Sequence, residues 1–182
     1  HGSFLAPLSL PPGRAGVEPS AGPVPRHPRD RPSRRRDDGA AMGTRPPLDE
    51  EEFRRWRSEA DRALGSSERE AAAGAHNWAC FLAEPAAQLG LKGLLHGIGA
   101  GPWGHDLPRL GERAAQAGLA VPEQLRHALA RLGRHYIPPR YPDAHASGPP
   151  ADHYTDADSR QALQDARAVL GFVDAAWEEL GG

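Results

Sequence analysis

Arg140 and His145 are separated by four residues, and the two side chain types suit phosphodiester chemistry that needs no metal. A histidine titrates near neutrality and can move a proton as general base or acid. An arginine can offset charge developing on a phosphate. Spacing alone identifies little, because Arg69 and His76 form a second pair of the same kind in this chain. What sets Arg140 apart is its setting, the run Arg134-His135-Tyr136-Ile137-Pro138-Pro139-Arg140-Tyr141-Pro142-Asp143-Ala144-His145. Its three prolines oppose helix, since each lacks a donor and restricts the residue before it. A stiff connector that carries arginines, tyrosines and histidines between two helices is a place for ligand capture. Arg140, with Arg134 and Lys92 as helpers, would hold phosphate. Tyr141 could stack on a base, while Tyr136 is expected to pack the connector against the helices.

The elements that would position these residues read as helices throughout. Asp49 with Glu52 marks a first start, and Phe53, Trp56, Ala60, Ala63 and Leu64 make one face, with Gly65 as its end. Ser67 with Glu70 reads as a capping box for a second helix, with a stripe of Ala71, Ala75, Trp78, Leu82, Ala86 and Leu89. Pro85 interrupts that stripe and predicts a kink near Leu82 or two shorter helices. Asp106 caps a third helix that stops at Gly118, and Pro122 opens a fourth, with Leu125, Ala128, Leu129, Leu132 and Tyr136 on one face. Thr155 with Asp158 caps a fifth, whose stripe is Leu163, Ala166, Leu170, Val173, Trp177 and Leu180. The expected fold is an all-α antiparallel bundle of about five helices over residues 48–180.

Residues 1–41 differ in kind. Eight prolines and no apolar period leave them too little surface to bury, so residues 1–47 are expected to be a disordered, Pro/Arg-rich tail or extension. Composition changes at Met42, the single methionine. Residues 1–41 are therefore either a tail or tag-derived extension, or lie upstream of a natural start there. Seven of the 22 basic residues but only four of the 24 acidic ones fall in this segment, so the remainder is net acidic. A domain that binds duplex nucleic acid by bulk charge is excluded, and any such contact must be local.

Other motifs resolve to bland readings. Gly97, Gly99 and Gly101 follow no strand and precede no Gly-Lys-Ser/Thr, so they read as a helix end and turn rather than a phosphate loop. The nine histidines show no zinc spacing, and neither metal nor cofactor is expected. Cys80, alone in the chain, reads as a buried structural thiol, and the tryptophans at 56, 78 and 177 read as core. No apolar run is long enough to cross a bilayer, which makes a cytoplasmic location the expectation.

An ordered series of segments carries a resemblance. His76-Asn77-Trp78-Ala79-Cys80-Phe81-Leu82-Ala83, Gly90-Leu91-Lys92-Gly93-Leu94-Leu95, Gly104-His105-Asp106-Leu107, Tyr136-Ile137-Pro138-Pro139-Arg140-Tyr141-Pro142-Asp143-Ala144 and Tyr154-Thr155 together resemble the HEPN domain family (higher eukaryotes and prokaryotes nucleotide-binding). The resemblance implies a helical bundle that often forms homodimers and often works with a minimal nucleotidyltransferase as partner. It also implies one of three roles. The chain would be a nucleotide- or RNA-binding module, a ribonuclease toxin of a toxin–antitoxin pair with Arg140 and His145 as its Arg-x4-His catalytic pair, or a non-catalytic scaffold. Where some toxins of the family carry a modified tyrosine, two residues past the histidine, this chain has Ser147.

Overall fold

Asp49 accepts a hydrogen bond from the backbone N–H of Glu52 and starts helix α1, Glu50–Ala72, as the cap pattern predicts. The computed structural model describes residues 47–182 apart from residue 103. The expected disorder of residues 1–41 lies outside the described residues. Four more helices follow: α2, His76–Gly97; α3, Leu107–Gln116; α4, Glu123–Gly133; and α5, Asp156–Glu179. Two short 3₁₀ turns, Pro142–Ala144 and Pro150–His153, lie between α4 and α5, and no strand occurs among the described residues. The all-α bundle is as expected.

Two boundaries differ from the sequence reading. α1 does not stop at Gly65 but runs on to Ala72, and Ser67 is not a cap. Ser67 is fully buried, and its hydroxyl donates to the carbonyl of Ala79 at 2.7 Å. A helical glycine costs about 1 kcal/mol relative to alanine, which the packing of about two more turns offsets. Gly74, with φ of +78°, makes the actual turn. The contact at Ser67–Ala79 and the bond from Asp49 N–H to the Gly97 carbonyl, 2.8 Å, fix α1 and α2 as an antiparallel hairpin.

α2 is the central element. It runs through Pro85 as one helix rather than two. Its buried set is Ala79, Cys80, Ala83, Ala86, Ala87, Leu91, Leu94 and Leu95, not the expected stripe through Trp78, Leu82 and Leu89. Helices press on it from several sides, so the small residues decide the packing rather than one apolar face. A Cβ on Gly93 would stand 2.9 Å from Trp56 Cβ, and one on Gly97 would stand 2.5 Å from the Trp177 ring. These glycines let α1 and α5 close onto α2. Each fully buried leucine, such as Leu91, Leu94 or Leu95, contributes about 1.5–3 kcal/mol.

α5 has the predicted capping box. Thr155 and Asp158 exchange side chain and backbone bonds, and Leu163, Ala166, Leu170, Val173 and Trp177 are buried. Trp177 stacks on Phe53 at 4.0 Å between centroids, and Asp174 holds Arg57 through two bonds of 2.7 and 2.8 Å. The α3–α4 hairpin covers the other side, joined to α5 by the paired bonds of Arg131 to Asp165. Cys80 is buried as expected, and burial pushes its thiol up to about 12, so it is inert at neutral pH. No described helix is long and apolar enough to cross a membrane.

Candidate functional site

The connector from α4 to α5 is built from proline-directed turns. The N–H of Arg140 donates to the Ile137 carbonyl, that of Ala144 to Tyr141, and that of His145 to Pro142, each at 3.1 Å. The connector is pinned to the bundle at one buried point, where the side chain amide of Asn77 donates to the carbonyl of Pro139 at 3.0 Å. Asn77 lies in the first turn of α2, and both residues are buried. The anchor matters because Pro139 immediately precedes Arg140.

Arg140 lies among three aromatic rings. Its guanidinium carbon is 4.4 Å from the centroid of Phe81, 4.8 Å from Tyr136 and 5.2 Å from Tyr141. Its Nε also donates to the Tyr136 carbonyl at 2.9 Å. Phe81 belongs to the turn of α2 that precedes Pro85, whose missing N–H leaves the Phe81 carbonyl without a helical partner. Among the described residues, the exposed large apolar side chains are Trp78 at 45 %, Ile137 at 47 % and two of the cluster itself, Tyr136 at 39 % and Tyr141 at 47 %. Trp78 meets Phe81 edge-on at 6.0 Å. Two expectations are thereby corrected. Trp78 is not core, because 45 % of it is exposed, near the start of α2. Tyr136 is not sealed against the bundle, because α4 ends at Gly133 and the chain has already turned outward.

His145 belongs to a different cluster. Its Nε2 is 2.8 Å from the Pro138 carbonyl and must donate to it. Its ring stacks on His153 at 4.1 Å, tilted by 6°, and meets Tyr154 edge-on at 6.2 Å. Burial raises the Tyr154 hydroxyl to about 12, so it stays protonated. Arg140 and His145 share no hydrogen-bond partner among the described residues.

The remaining candidates spread further. Arg134 is the exposed C-cap of α4 and lines a cleft with His105 and Tyr136. Lys92 is half-buried on α2, and burial lowers its pKa. Arg140 and Lys92 both act on a residue that the sequence reading did not single out. Glu84 is 1 % exposed, with one carboxylate oxygen unpartnered and the other accepting from Gln88 at 3.0 Å. Burial raises its pKa to about 7, against the pull of Gln88, Lys92 and Arg140. A charged residue inside an alanine-rich stretch, followed one turn later by glutamine, was the available signal.

The sequence matches the profile of the HEPN domain over residues 53–177. Among solved structures, a protein from Thermus thermophilus is similar at 39 % identity and a TM-score of 0.63, over 68 % of this chain and 97 % of that one. An archaeal HEPN homologue is 28 % identical with a TM-score of 0.57, over 68 % and 95 % of the two chains. A HEPN domain protein of Thermotoga maritima, 21 % identical with a TM-score of 0.57 over 68 % and 98 %, shares the fold. No curated protein matches the sequence.

Proposed function

This chain belongs to the HEPN domain family, and from that membership we propose that it is a nucleotide- or RNA-binding module centred on Arg140. The observation that carries the reading is the guanidinium held among Phe81, Tyr136 and Tyr141, with both tyrosines exposed. A cation set among exposed ring faces suits a flexible phosphate chain whose bases stack. Arg140, helped by Arg134 and Lys92, meets phosphate, and Tyr141 stacks on a base. The local cation fits a domain that is otherwise net acidic. The reading includes a minimal nucleotidyltransferase as working partner and self-association as a homodimer. Titration of the full chain with a short single-stranded RNA, and separately with ATP and GTP, tests it. Arg140→Ala should weaken binding at least tenfold. Unchanged affinity in that variant sinks the reading, and no binding by the wild type leaves a non-catalytic scaffold.

One observation supports a second reading, a metal-independent ribonuclease toxin. Donation from Nε2 to Pro138 leaves Nδ1 of neutral His145 as the unprotonated nitrogen, the form a general base needs. RNA cleavage by the wild type that disappears in the Arg140/His145 double alanine variant would establish it. Cleavage that survives in His145→Ala would exclude it.

A further inference from the structure

Glu84 lies on α2 with its carboxyl buried and one oxygen without a partner. Its other oxygen has a single donor, the side chain amide of Gln88 at 3.0 Å. That amide also donates to the His105 carbonyl at 3.0 Å, so both of its protons are engaged. The Gln88 oxygen is left as the acceptor for Nδ1 of His105, also 3.0 Å away. Gln88 is itself buried and has no further donor to offer. A buried carboxylate served by one neutral donor is strongly disfavoured against the neutral acid.

The charged groups that act on Glu84 are two cations, Lys92 about two turns further along α2 and Arg140 from the connector. His105, the titratable group on the α3 side, reaches it only through Gln88. Neither cation hydrogen-bonds to the carboxyl. Arg140 instead gives its Nε to the Tyr136 carbonyl at 2.9 Å and lays its guanidinium against Phe81, one turn before Glu84 on α2. It therefore keeps its charge for an outside anion. It also stands close enough to Glu84 for each to feel the other along a buried, weakly screened path. Two anions compete for the same cations, ionised Glu84 from within and a phosphate from solvent.

We propose that Glu84 is a proton-linked regulator of the Arg140 site: as a phosphodiester settles against Arg140 and Lys92, Glu84 takes a proton from solvent and stays neutral while the anion is bound. The inference rests on the nucleotide- or RNA-binding reading above and adds how pH regulates it. A bound phosphate offsets the two cations that favour ionised Glu84, so it raises the affinity of the carboxyl for a proton. Protonation raises the affinity for phosphate by the same factor. Burial already brings this carboxyl to about 7, so the effect falls in the neutral range. A further rise of about one unit on binding makes affinity about fivefold weaker at pH 8 than at pH 6, with uptake of about half a proton near pH 7.5. The probe is a short single-stranded oligoadenylate without a terminal phosphate, whose own charge is constant over this range. The full chain is titrated with it by calorimetry at fixed salt, in two buffers of different ionisation heat. The wild type should show both the fall in affinity and the proton uptake. Glu84→Gln, the neutral isostere, should match wild type at pH 6 and bind about fivefold tighter than wild type at pH 8. Any dependence that the histidines add is common to both proteins. An infrared difference spectrum of the wild type near pH 7.5 should gain protonated carboxyl when the probe is added, which decides the matter if the glutamine variant does not fold. Equal pH dependence and equal proton uptake in the two proteins would overturn the linkage and leave the binding reading intact. A folded Glu84→Gln that fails to bind, or a wild type that takes ATP but not the probe, would do the same. If the wild type binds neither, both fall.

Discussion

Arg140 lies with its guanidinium 4.4 Å from the ring centroid of Phe81, which joins the proline-rich connector to the second turn of α2. The contact depends on a delocalised cation lying against a ring. Arg140→Lys keeps the charge but loses the planar fork and most of the stacking. It should therefore lower RNA or nucleotide affinity by nearly as much as Arg140→Ala, while the melting temperature changes little. Affinity in the lysine variant equal to wild type would show that charge alone is used.

Asn77 reaches Pro139 at 3.0 Å from within the bundle. Truncation would leave the buried Pro139 carbonyl without its donor, at a cost of about 1–3 kcal/mol. Asn77→Ala should lower the denaturation midpoint accordingly. It should also speed hydrogen exchange at the Arg140 and Ala144 amides more than in α5. Uniform acceleration across the chain would show that the bond is not a specific anchor of the connector.

Gly93 and Gly97 sit where a side chain would strike Trp56 and Trp177. Gly97→Ala should destabilise by about 1–3 kcal/mol despite the better helix propensity of alanine, because overpacking outweighs it. Gly171, on α5 with open space around its Cβ position, should instead gain up to about 1 kcal/mol when changed to alanine. Urea unfolding of the two variants checks the opposite signs.

Glu84 gives a pH signature. Burial raises its pKa from about 4.5 to about 7, so between these values the folded chain holds a proton that the unfolded chain has released. Its contribution is complete below about pH 4.5 and is lost as pH rises to 7, amounting to about 3 kcal/mol. His135 acts in the opposite direction. Burial lowers its pKa, so its share of stability grows as pH rises toward its ordinary value. Glu84→Gln removes the first effect alone. Relative to wild type, the variant should gain stability steadily between pH 5 and 7.5, and a difference independent of pH would rule out a protonated Glu84.

Much of the fold is local and was legible in the residue order. Asp49, Asp106 and Thr155 each cap a helix because the bond runs only to an N–H three residues on. The connector was equally legible, since proline acts on its own φ and on its immediate neighbour. The same local rule misled at Gly65 and at Ser67, whose hydroxyl found a carbonyl on another helix instead of its own backbone.

The sequence by itself thus determined the helical class, four of the helix starts (at Asp49, Asp106, Pro122 and Thr155) and the connector that holds Arg140 and His145. Tertiary structure decided which face of α2 is buried, that Arg140 joins Phe81 and both tyrosines, and that His145 joins His153 and Tyr154. It also decided that Glu84 and Gln88 stand behind His105. Caps and prolines act within one turn of chain, where neighbours in sequence are neighbours in space. Ring stacking and buried carboxylates depend on residues brought together only when the helices pack.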